Sequence, residues 1–211
     1  MTVSPREQLP TLRGRQTQAA IDAAARAVIA RKGILATTIS DIAAEAGKST
    51  ASFYNYYDSK EAMVREWAVR FRDEARDRSR AAAEPGLTNW ERSYQAAAAH
   101  WNTYRNRLAE IISVSQLAMV SDDFAEYWAD ICSLPIGLIT QMVKQAQRQG
   151  FCSREDDPHL VAVAMVSMLN QFCYAQLSGD AAAETIDDDA CITTLANIFY
   201  RTIYHKEAAL T

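Results

Sequence analysis

The chain has 211 residues, of which 49% are apolar and 23% are charged, and its net charge is −4. So large an apolar fraction supports a sizeable buried core and excludes a disordered chain. With only five prolines and seven glycines there are few turns for a β-rich fold, and the long alanine-rich stretches favour helix. We therefore predict an all-α protein.

The charge is unevenly distributed along the chain. Residues 1–60 contain eight Lys or Arg and five Asp or Glu, a balance of +3, whereas residues 61–211 contain 14 and 21, a balance of −7. A basic N-terminal part on an acidic remainder is typical of a protein that binds nucleic acid through its N-terminal part.

The cysteines are spread singly, without a C-x-x-C pair, and no signal peptide or long uninterrupted apolar run is apparent. This pattern is typical of a reducing compartment. We expect a cytoplasmic protein with no membrane partner. The four cysteines are Cys132, Cys152, Cys173 and Cys191.

The N-terminal residues 1–12 are polar, contain Pro5 and Pro10 and show no apolar periodicity, which predicts a flexible arm. A first helix is expected from about Arg13 to Lys32, ended by Gly33. Its apolar residues fall on one face, which would brace the two helices that follow. These residues are Ile21, Ala24, Ala25, Val28 and Ile29.

The segment 37–62, TTISDIAAEAGKSTASFYNYYDSKEA, predicts two short helices joined by a glycine turn and followed by a third helix. Thr38 can cap the first helix together with Asp41, and Gly47 can adopt the left-handed backbone that ends it. Ser49 can cap the second helix, which continues to about residue 57 and contains no acidic residue. This layout places one helix in the major groove of DNA, so the segment is a candidate helix-turn-helix.

The remaining helices are predicted from capping signals and from glycine and proline breaks. Asp58 with Glu61 indicates the start of a long helix. An interruption is expected near Asn106, and Pro135 inside a later helix predicts a kink. Pro158, preceded by two aspartates, has the order expected at a helix start. The predicted helices span about 58–83, 88–120, 121–150, 158–178 and 187–205.

The residues TISDIA (38–43), AG (46–47), FY (53–54) and YYDSKE (56–61) resemble the DNA-binding signature of the TetR family of bacterial transcriptional regulators. The segments WADICSLPIGLITQMVKQAQRQG and LSGD in the last three helices are similar to the EthR-like branch of that family. The resemblance implies a flexible arm over 1–12 and a three-helix DNA-binding domain over 13–58. It further implies a larger helical domain for ligand binding and dimerisation over 59–211.

The resemblance also implies roles for residues of the helix-turn-helix. Short side chains on the first turn of the second helix let the backbone approach base edges, so this turn is the candidate for sequence readout. Hydroxyl and ammonium groups that flank it are candidates for phosphate contacts, which position the protein. The candidates for base readout are Thr50, Ala51 and Ser52, and those for phosphate contact are Thr38, Lys48, Tyr54, Tyr56 and Lys60.

Lys48 departs from the family pattern, which has an apolar residue there, so its side chain is expected to extend outward or to add a phosphate contact. Arg13 and Arg15 are candidates to enter the adjoining minor groove, the alternative being that they are merely solvated. Phe53 and Tyr57, four residues apart, are expected to pack in the core rather than to contact DNA.

A homodimer is expected, because one short recognition helix makes few contacts and specific binding uses two half-sites about 34–36 Å apart. The predicted helix over 158–178 is apolar nearly all round, and the last helix has apolar residues at helical spacing from Ile192 to Ile203. The resemblance implies that these two helices form a four-helix dimer interface. The alternative is that they are the core of a monomer.

The C-terminal part is expected to hold a cavity for a small, mainly apolar effector, with Asn170 as a polar anchor; the alternative is ordinary core packing. In the family, a ligand shifts the protein away from its DNA-competent state, so we expect a repressor that leaves a palindromic operator when the effector binds. The predicted lining residues are Trp101, Tyr104, Met119, Phe124, Trp128, Met142, Met165, Asn170 and Tyr174.

An enzyme and a helical lipid or small-molecule carrier are the alternatives from other classes of protein. The three histidines have no cysteine or carboxylate at metal-ligand spacing and no nucleophile motif beside them. No catalytic residue, metal site or cofactor is therefore predicted. A helix-turn-helix can also be purely structural, and salt-sensitive binding to a palindromic duplex would separate a regulator from these alternatives.

Overall fold

The computed structural model describes residues 12–81, 86–178 and 186–205, without the side chains of 71–81. Within these ranges the chain is all-helical, as predicted, and contains no strand. Most of the predicted arm over 1–12, and the predicted helix end near residue 83, lie outside the described residues. The helices are α1 (Leu12–Ala36), α2 (Ile39–Glu45), α3 (Thr50–Tyr54), α4 (Lys60–Ala81), α5 (Asn89–Leu117), α6 (Asp122–Arg148), α7 (Pro158–Leu177) and α8 (Asp188–Ile203).

We call α1–α3 the head and α4–α8 the body. In the head, α1 contains the break that the sequence predicts at Gly33, which has φ 76° and ψ 163°. A Cβ atom at Gly33 would lie only 2.6 Å from Oε1 of Gln116. That oxygen accepts a hydrogen bond of 3.0 Å from the Ile34 N–H. Glycine at this position therefore lets α5 approach and hold the end of α1.

The helix-turn-helix forms with the predicted caps. Thr38 Oγ1 accepts a hydrogen bond from the Asp41 N–H at 3.2 Å, and Asp41 Oδ2 accepts one from the Thr38 N–H at 2.8 Å. Gly47 lies in the turn with φ 61°. Ser49 then caps α3 by accepting the Ser52 N–H at 3.2 Å. Each local signal thus produces the backbone that it predicts.

Two predicted boundaries in this region are wrong by a few residues. α3 ends at Tyr54 rather than at about residue 57. α4 begins at Lys60, and Ser59 Oγ accepts the Ala62 N–H at 3.0 Å at its start. A hydroxyl one residue before a helix is well placed for such a cap, so serine takes this role here.

The breaks in the body agree largely with the sequence. Arg107 interrupts α5 with φ −134° and ψ 28°, next to the predicted position. α6 continues through Pro135, so this proline does not end the helix, and the kink there stays a prediction. α7 begins with Pro158 after Asp157, whose carboxylate accepts two backbone N–H groups. Asp187 caps α8 by accepting one backbone N–H, that of Ala190.

The buried apolar residues form two cores, and α5 contributes to both. The body core lies between α5, α6, α7 and α8 and includes Trp101 and Tyr104 from the first half of α5. The head core includes Ile112 and Leu117 from the second half of α5 and Phe124 from α6. Arg107 lies between the two halves. The five residues predicted to form the buried face of α1 are all buried.

Candidate nucleic-acid interface and effector site

The first turn of α3 lies on the surface of the head. Thr50 and Ala51 are exposed and Ser52 is partly exposed, whereas Phe53 is fully buried in the head core. Ser52 Oγ lies 3.1 Å from Ser49 Oγ, so its hydroxyl also takes part in the cap. Because α3 has no acidic residue, this turn can approach an anionic surface without charge repulsion.

The two tyrosines predicted to contact phosphates differ in exposure. Tyr54 is 55% exposed, and its ring meets the Phe53 ring edge-on with the centroids 5.9 Å apart. Tyr56 is partly exposed and packs against the head core. The Tyr54 side chain is therefore held by Phe53 and extends along the surface next to the exposed turn.

Tyr57 lies in the head core, as predicted, together with Phe53. Its hydroxyl donates a hydrogen bond of 2.6 Å to Asp22 Oδ1 and accepts one of 3.1 Å from Gln18 Nε2. Burial, reinforced by the Asp22 carboxylate, raises the pKa of Tyr57 well above its usual range. The protonated phenol thus ties the end of the helix-turn-helix to α1.

Thr38 is exposed, but its polar groups are already engaged. Its N–H and its hydroxyl both donate to Asp41 Oδ2, at 2.8 and 2.6 Å, and Lys32 Nζ donates to the same oxygen at 2.7 Å. The hydrogen bond from Lys32, followed by those from Thr38, holds the pKa of Asp41 well below its usual range. The Asp41 carboxylate thus occupies the start of α2, where the resemblance implies that a DNA phosphate binds. A phosphate contact of Thr38 stays a prediction that requires competition with Asp41.

Lys48 is exposed in the turn between α2 and α3. The turn is closed by backbone hydrogen bonds, from the Lys48 N–H to the Ala43 carbonyl at 2.9 Å and from the Gly47 N–H to the Ala44 carbonyl at 3.1 Å. These bonds hold the turn without an apolar side chain at position 48. Lys48 thus lies at the surface beside the start of α3, and its phosphate contact stays a prediction.

Lys60 has a structural role that sequence reasoning missed. It is partly exposed at the start of α4, and its Nζ donates hydrogen bonds to the carbonyls of Ile34 at 2.8 Å and Thr37 at 2.9 Å. The last carbonyls of a helix lack intrahelical donors, and this signal could have suggested a cationic partner for the end of α1. Lys60 therefore links α1 to α4, and one of its three N–H donors is left for a phosphate.

Arg13 and Arg15 lie in the first turns of α1 rather than in an arm, and both are exposed. α1 begins one residue before Arg13, close to the predicted helix start. Their insertion into a minor groove would require α1 itself to approach the duplex.

The nine residues predicted to line one cavity are not all brought together. Met119 is 80% exposed in the connection between α5 and α6, Tyr174 is 38% exposed on α7, and Phe124 belongs to the head core. These three side chains therefore lie apart from the other six, and their part in a ligand site stays a prediction. Helical spacing shows which side chains share a face but not which neighbouring helix covers it. The other six lie in or beside the body core: Trp101, Tyr104 and Met165 are buried, and Trp128, Met142 and Asn170 are partly buried.

Asn170 lies in a small cluster of polar side chains in the body. Its two neighbours in this cluster, Cys132 and His100, were not predicted from the sequence. Its Nδ2 lies 3.7 Å from Cys132 Sγ on α6, and its side chain also hydrogen-bonds His100 on α5. The His100 ring stacks on Tyr104, with the centroids 5.3 Å apart and the planes at 26°. Burial lowers the pKa of His100 to about 4, an effect that the Asn170 hydrogen bond partly offsets. The i, i+4 spacing of His100 and Tyr104 was the signal available in the sequence.

Among the residues that the structure describes, no group of three His, Cys, Asp or Glu side chains is placed to hold a metal ion. One described helix, α7, is long and apolar enough by length and composition to cross a membrane, with a mean hydropathy of 1.4. A third of it is buried inside the chain, and the core helices of soluble proteins meet the same criterion.

Comparison with known proteins accounts for both parts of the fold. Residues 21–67 match the family described as bacterial regulatory proteins, tetR family, and residues 90–205 match the family described as transcriptional regulator EthR, C-terminal domain. The HTH-type transcriptional regulator EthR of Mycobacterium tuberculosis (strain ATCC 25618 / H37Rv) is 24% identical over 214 residues, covering 97% of this chain and 98% of the relative. The HTH-type transcriptional repressor KstR2 of Rhodococcus jostii (strain RHA1) is 29% identical over 144 residues, covering 62% of this chain and 70% of the relative.

A solved structure shows the same fold. The crystal structure of the transcriptional regulator FadR from Bacillus subtilis in complex with stearoyl-CoA superposes with a TM-score of 0.60 at 16% identity, covering 89% of this chain and 97% of the other. The relatives are transcriptional regulators rather than enzymes. With a DNA-binding signature at the N-terminus and a regulatory domain that fills more than half of its length, the chain belongs to the TetR family of bacterial transcriptional regulators, in the EthR-like branch.

Proposed function

We propose that the chain is a homodimeric repressor, acting in the cytoplasm, that binds a palindromic operator through α2 and α3 and is released by a small, mainly apolar ligand. The observation that carries this proposal is the first turn of α3, exposed at Thr50 and Ala51 and anchored from beneath by the buried Phe53. Two copies of this turn, about 34–36 Å apart, would contact successive major grooves on one face of a duplex.

The surface of α7 and α8 supports the dimer. α7 has a mean hydropathy of 1.4 but is only 33% buried within the chain. Leu160 and Tyr174 of α7 and Ile198 of α8 are exposed apolar side chains. Covering such surfaces with a second copy stabilises both chains by removing apolar area from water.

The composition of the body core supports an apolar ligand. Trp101, Tyr104 and Met165 are buried there, with the Asn170 amide as a polar group among them. Ligand sites are usually apolar with a few polar groups that fix orientation. The structurally similar FadR from Bacillus subtilis is described in complex with stearoyl-CoA, an acyl compound, which agrees with this class of ligand.

The two halves of α5 provide the connection between ligand and DNA. The first half packs in the body core, and the second half holds the end of α1 through the hydrogen bond from the Ile34 N–H to Gln116. A ligand that displaces the first half would move the second half and change the separation of the two recognition helices. A differential affinity of a few kcal/mol for the displaced state is enough to shift the population.

Selection of bound duplexes from a random pool, followed by gel-shift titration at several salt concentrations, tests the DNA-binding part. We expect an enriched palindrome, two chains per site by light scattering, and an affinity that falls steeply with salt. Ala51→Asp places a carboxylate on the exposed turn and should abolish binding without changing the melting temperature. Ala99→Asp adds the same charge to an exposed position of α5 and serves as the control.

Three results would reject the proposal: no enriched sequence, binding that is unaffected by Ala51→Asp, or a monomer at the concentrations where DNA is bound. The ligand part is tested separately, by release of the selected duplex on titration with a series of fatty acids and alcohols. Failure of every apolar compound to release DNA would contradict the effector class and leave DNA recognition intact.

A further inference from the structure

We propose that Glu110 determines which spacing of operator half-sites the protein accepts, although it lies on α5 and outside the helix-turn-helix. With Arg26 of α1 and Arg107 of α5 it forms a cluster that we call the joint. The inference rests on the proposed function, because it requires a dimer that binds two half-sites. It adds to that function a residue that fixes the angle of the head on the body.

The joint contains a buried charge. Among the residues whose side chains the structure describes, Glu110 is the only charged one that is buried. Its Oε1 accepts a hydrogen bond of 2.9 Å from Arg26 Nε and lies 3.5 Å from Arg107 Nη1. A buried carboxylate that loses its cationic partner is strongly destabilised. Any movement that separates α1 from α5 at this point is therefore opposed.

The joint fixes the direction of α1 together with a second contact on α5. This second contact is the hydrogen bond from the Ile34 N–H to Gln116 Oε1, which lies beyond the break at Gly33. Glu110 and Gln116 are separated along α5 by about 9 Å of helix. Two separate attachments fix the angle between two helices, whereas one attachment acts as a pivot. The apolar contacts around them are non-directional and resist rotation less.

The angle of α1 is passed on to the recognition helix α3. Asp22, one turn before Arg26 on α1, accepts a hydrogen bond of 2.6 Å from the Tyr57 hydroxyl. The Tyr57 ring packs against Phe53 of α3, with the centroids 5.6 Å apart. The Arg26 guanidinium also lies over the Trp67 ring, 4.7 Å from its centroid, which connects α4 to the joint. A change in the angle of α1 therefore moves the recognition helix with it.

In a dimer, the angle of each head on its body sets the distance between the two recognition helices. Both helices bind at once only when the half-sites match that distance, about 34–36 Å for successive major grooves. One base pair added between the half-sites increases their distance by about 3.4 Å and rotates them by about 35° relative to each other. A head held by the joint cannot follow this change, whereas a head that pivots about Gln116 can. Glu110 thus acts as a positioning residue that sets the accepted spacing.

Operators of altered spacing test this role. The palindrome selected from the random pool is shortened or lengthened by one base pair at its centre, and gel-shift titration of the full-length protein gives the Kd for each duplex. The ratio of the Kd of an altered duplex to that of the selected duplex measures the spacing preference. We expect this ratio to be at least about fivefold lower in Glu110→Gln than in the wild type, the lower end of typical coupling between distant sites. A general loss of affinity would leave the ratio unchanged.

Two control variants should keep the wild-type ratio. Asp123→Asn removes an exposed ion pair between α4 and α6. Ile139→Val shortens a buried side chain of the body core, so it lowers stability at a place other than the joint. Where Glu110→Gln does not fold, Arg26→Lys takes its place. This variant keeps the positive charge but loses the planar guanidinium that bonds Glu110 and stacks on the indole, so its ratio should fall as well.

An unchanged ratio in Glu110→Gln, or in Arg26→Lys where it takes that place, would overturn the inference and leave the proposed regulator intact. A wild-type protein that binds all three spacings equally would do the same, because its heads would then not be fixed. An equal fall of the ratio in Ile139→Val would show that the effect is a general loss of stability. A random pool that yields no palindrome would reject the proposed function and the inference with it.

Discussion

Arg26 of α1 and Glu110 of α5 form an ion pair of 2.9 Å that joins the head to the body. The Glu110 side chain is only 4% exposed, and Arg107, at the break in α5, approaches the same carboxylate oxygen at 3.5 Å. The Arg26 guanidinium also lies over the Trp67 ring of α4, 4.7 Å from its centroid. One carboxylate thus connects α1 to the position where α5 changes direction.

Replacing Glu110 tests the strength of this connection. Glu110→Gln keeps the shape of the side chain but leaves Arg26 and Arg107 facing a neutral group, so we expect the free energy of unfolding to fall by about 1–3 kcal/mol. The control is Asp123→Asn, which removes the Arg65–Asp123 pair of 3.2 Å, exposed on both sides. Exposed pairs contribute less than about 1 kcal/mol, so the control should change little. Equal losses in denaturant titrations of the two variants would contradict a special role for Glu110.

The two lysines of the DNA-binding region should give different phenotypes. Lys60→Met removes the donor to the Ile34 and Thr37 carbonyls, so it should lower the melting temperature and weaken DNA binding together. Lys48→Met affects an exposed side chain and should leave the melting temperature unchanged while reducing the salt slope of DNA binding by about 1. Calorimetry and gel-shift titrations in parallel measure both quantities. A stable Lys60→Met with a reduced salt slope would show that its ammonium acts on phosphate rather than on α1.

Alanine at Gly33 should be strongly destabilising. The backbone there has φ 76°, and the added Cβ would meet Gln116 Oε1 at 2.6 Å and disturb its bond to the Ile34 N–H. Gly137 provides the matched control, because it lies within α6 and a Cβ there meets nothing within 4 Å. Gly137→Ala should be neutral or stabilising by up to about 1 kcal/mol. Thermal melts in which Gly33→Ala retains the wild-type melting temperature would show that α5 does not hold α1 in this way.

His100 should make stability depend on pH in a defined window. Its pKa is lowered from 6.5 to about 4 in the folded chain, so the unfolded chain binds the additional proton between these values. The stabilising contribution is complete above pH 6.5 and is lost as the pH falls through about 4, with a slope of at most about 1.4 kcal/mol per pH unit. The free energy of unfolding is measured as a function of pH for the wild type and for His100→Gln. In the difference between the two curves the contributions of the carboxylates cancel. His159→Gln is the control, and parallel curves for all three proteins would show that His100 is not shielded.

The head was the part most predictable from the sequence, because its signals are local. The caps at Thr38 and Ser49 and the positive φ at Gly47 each depend on residues within one or two helical turns. The position of the break near Arg107 was also predicted. The contact between Arg107 and Glu110 was not. Contacts between residues distant in sequence, such as Lys60 with the end of α1, require the packing of whole helices and were missed.

The candidate effector site shows the same limit more clearly. Composition and spacing identified Trp101, Tyr104 and Met165, which are buried together, but also Met119, which is exposed, and Phe124, which packs in the head. A helical repeat gives the direction of a side chain relative to its own helix axis. α5 and α6 both run past the body core and the head core. Whether a given side chain packs in one core or the other therefore depends on the path of these helices, which the helical repeat does not give.

Because α5 contributes to both cores, it also limits how the DNA-binding part of such a regulator can be joined to a different sensor domain. A polypeptide cut after residue 58 would lack Ile112, Leu117 and Phe124, and the apolar face of α1 would be left open to water. It would not behave as an autonomous module that can be grafted onto an unrelated sensor. Chimaeras between this chain and its relatives should therefore be joined with the second half of α5 inherited from the same parent as the recognition helix.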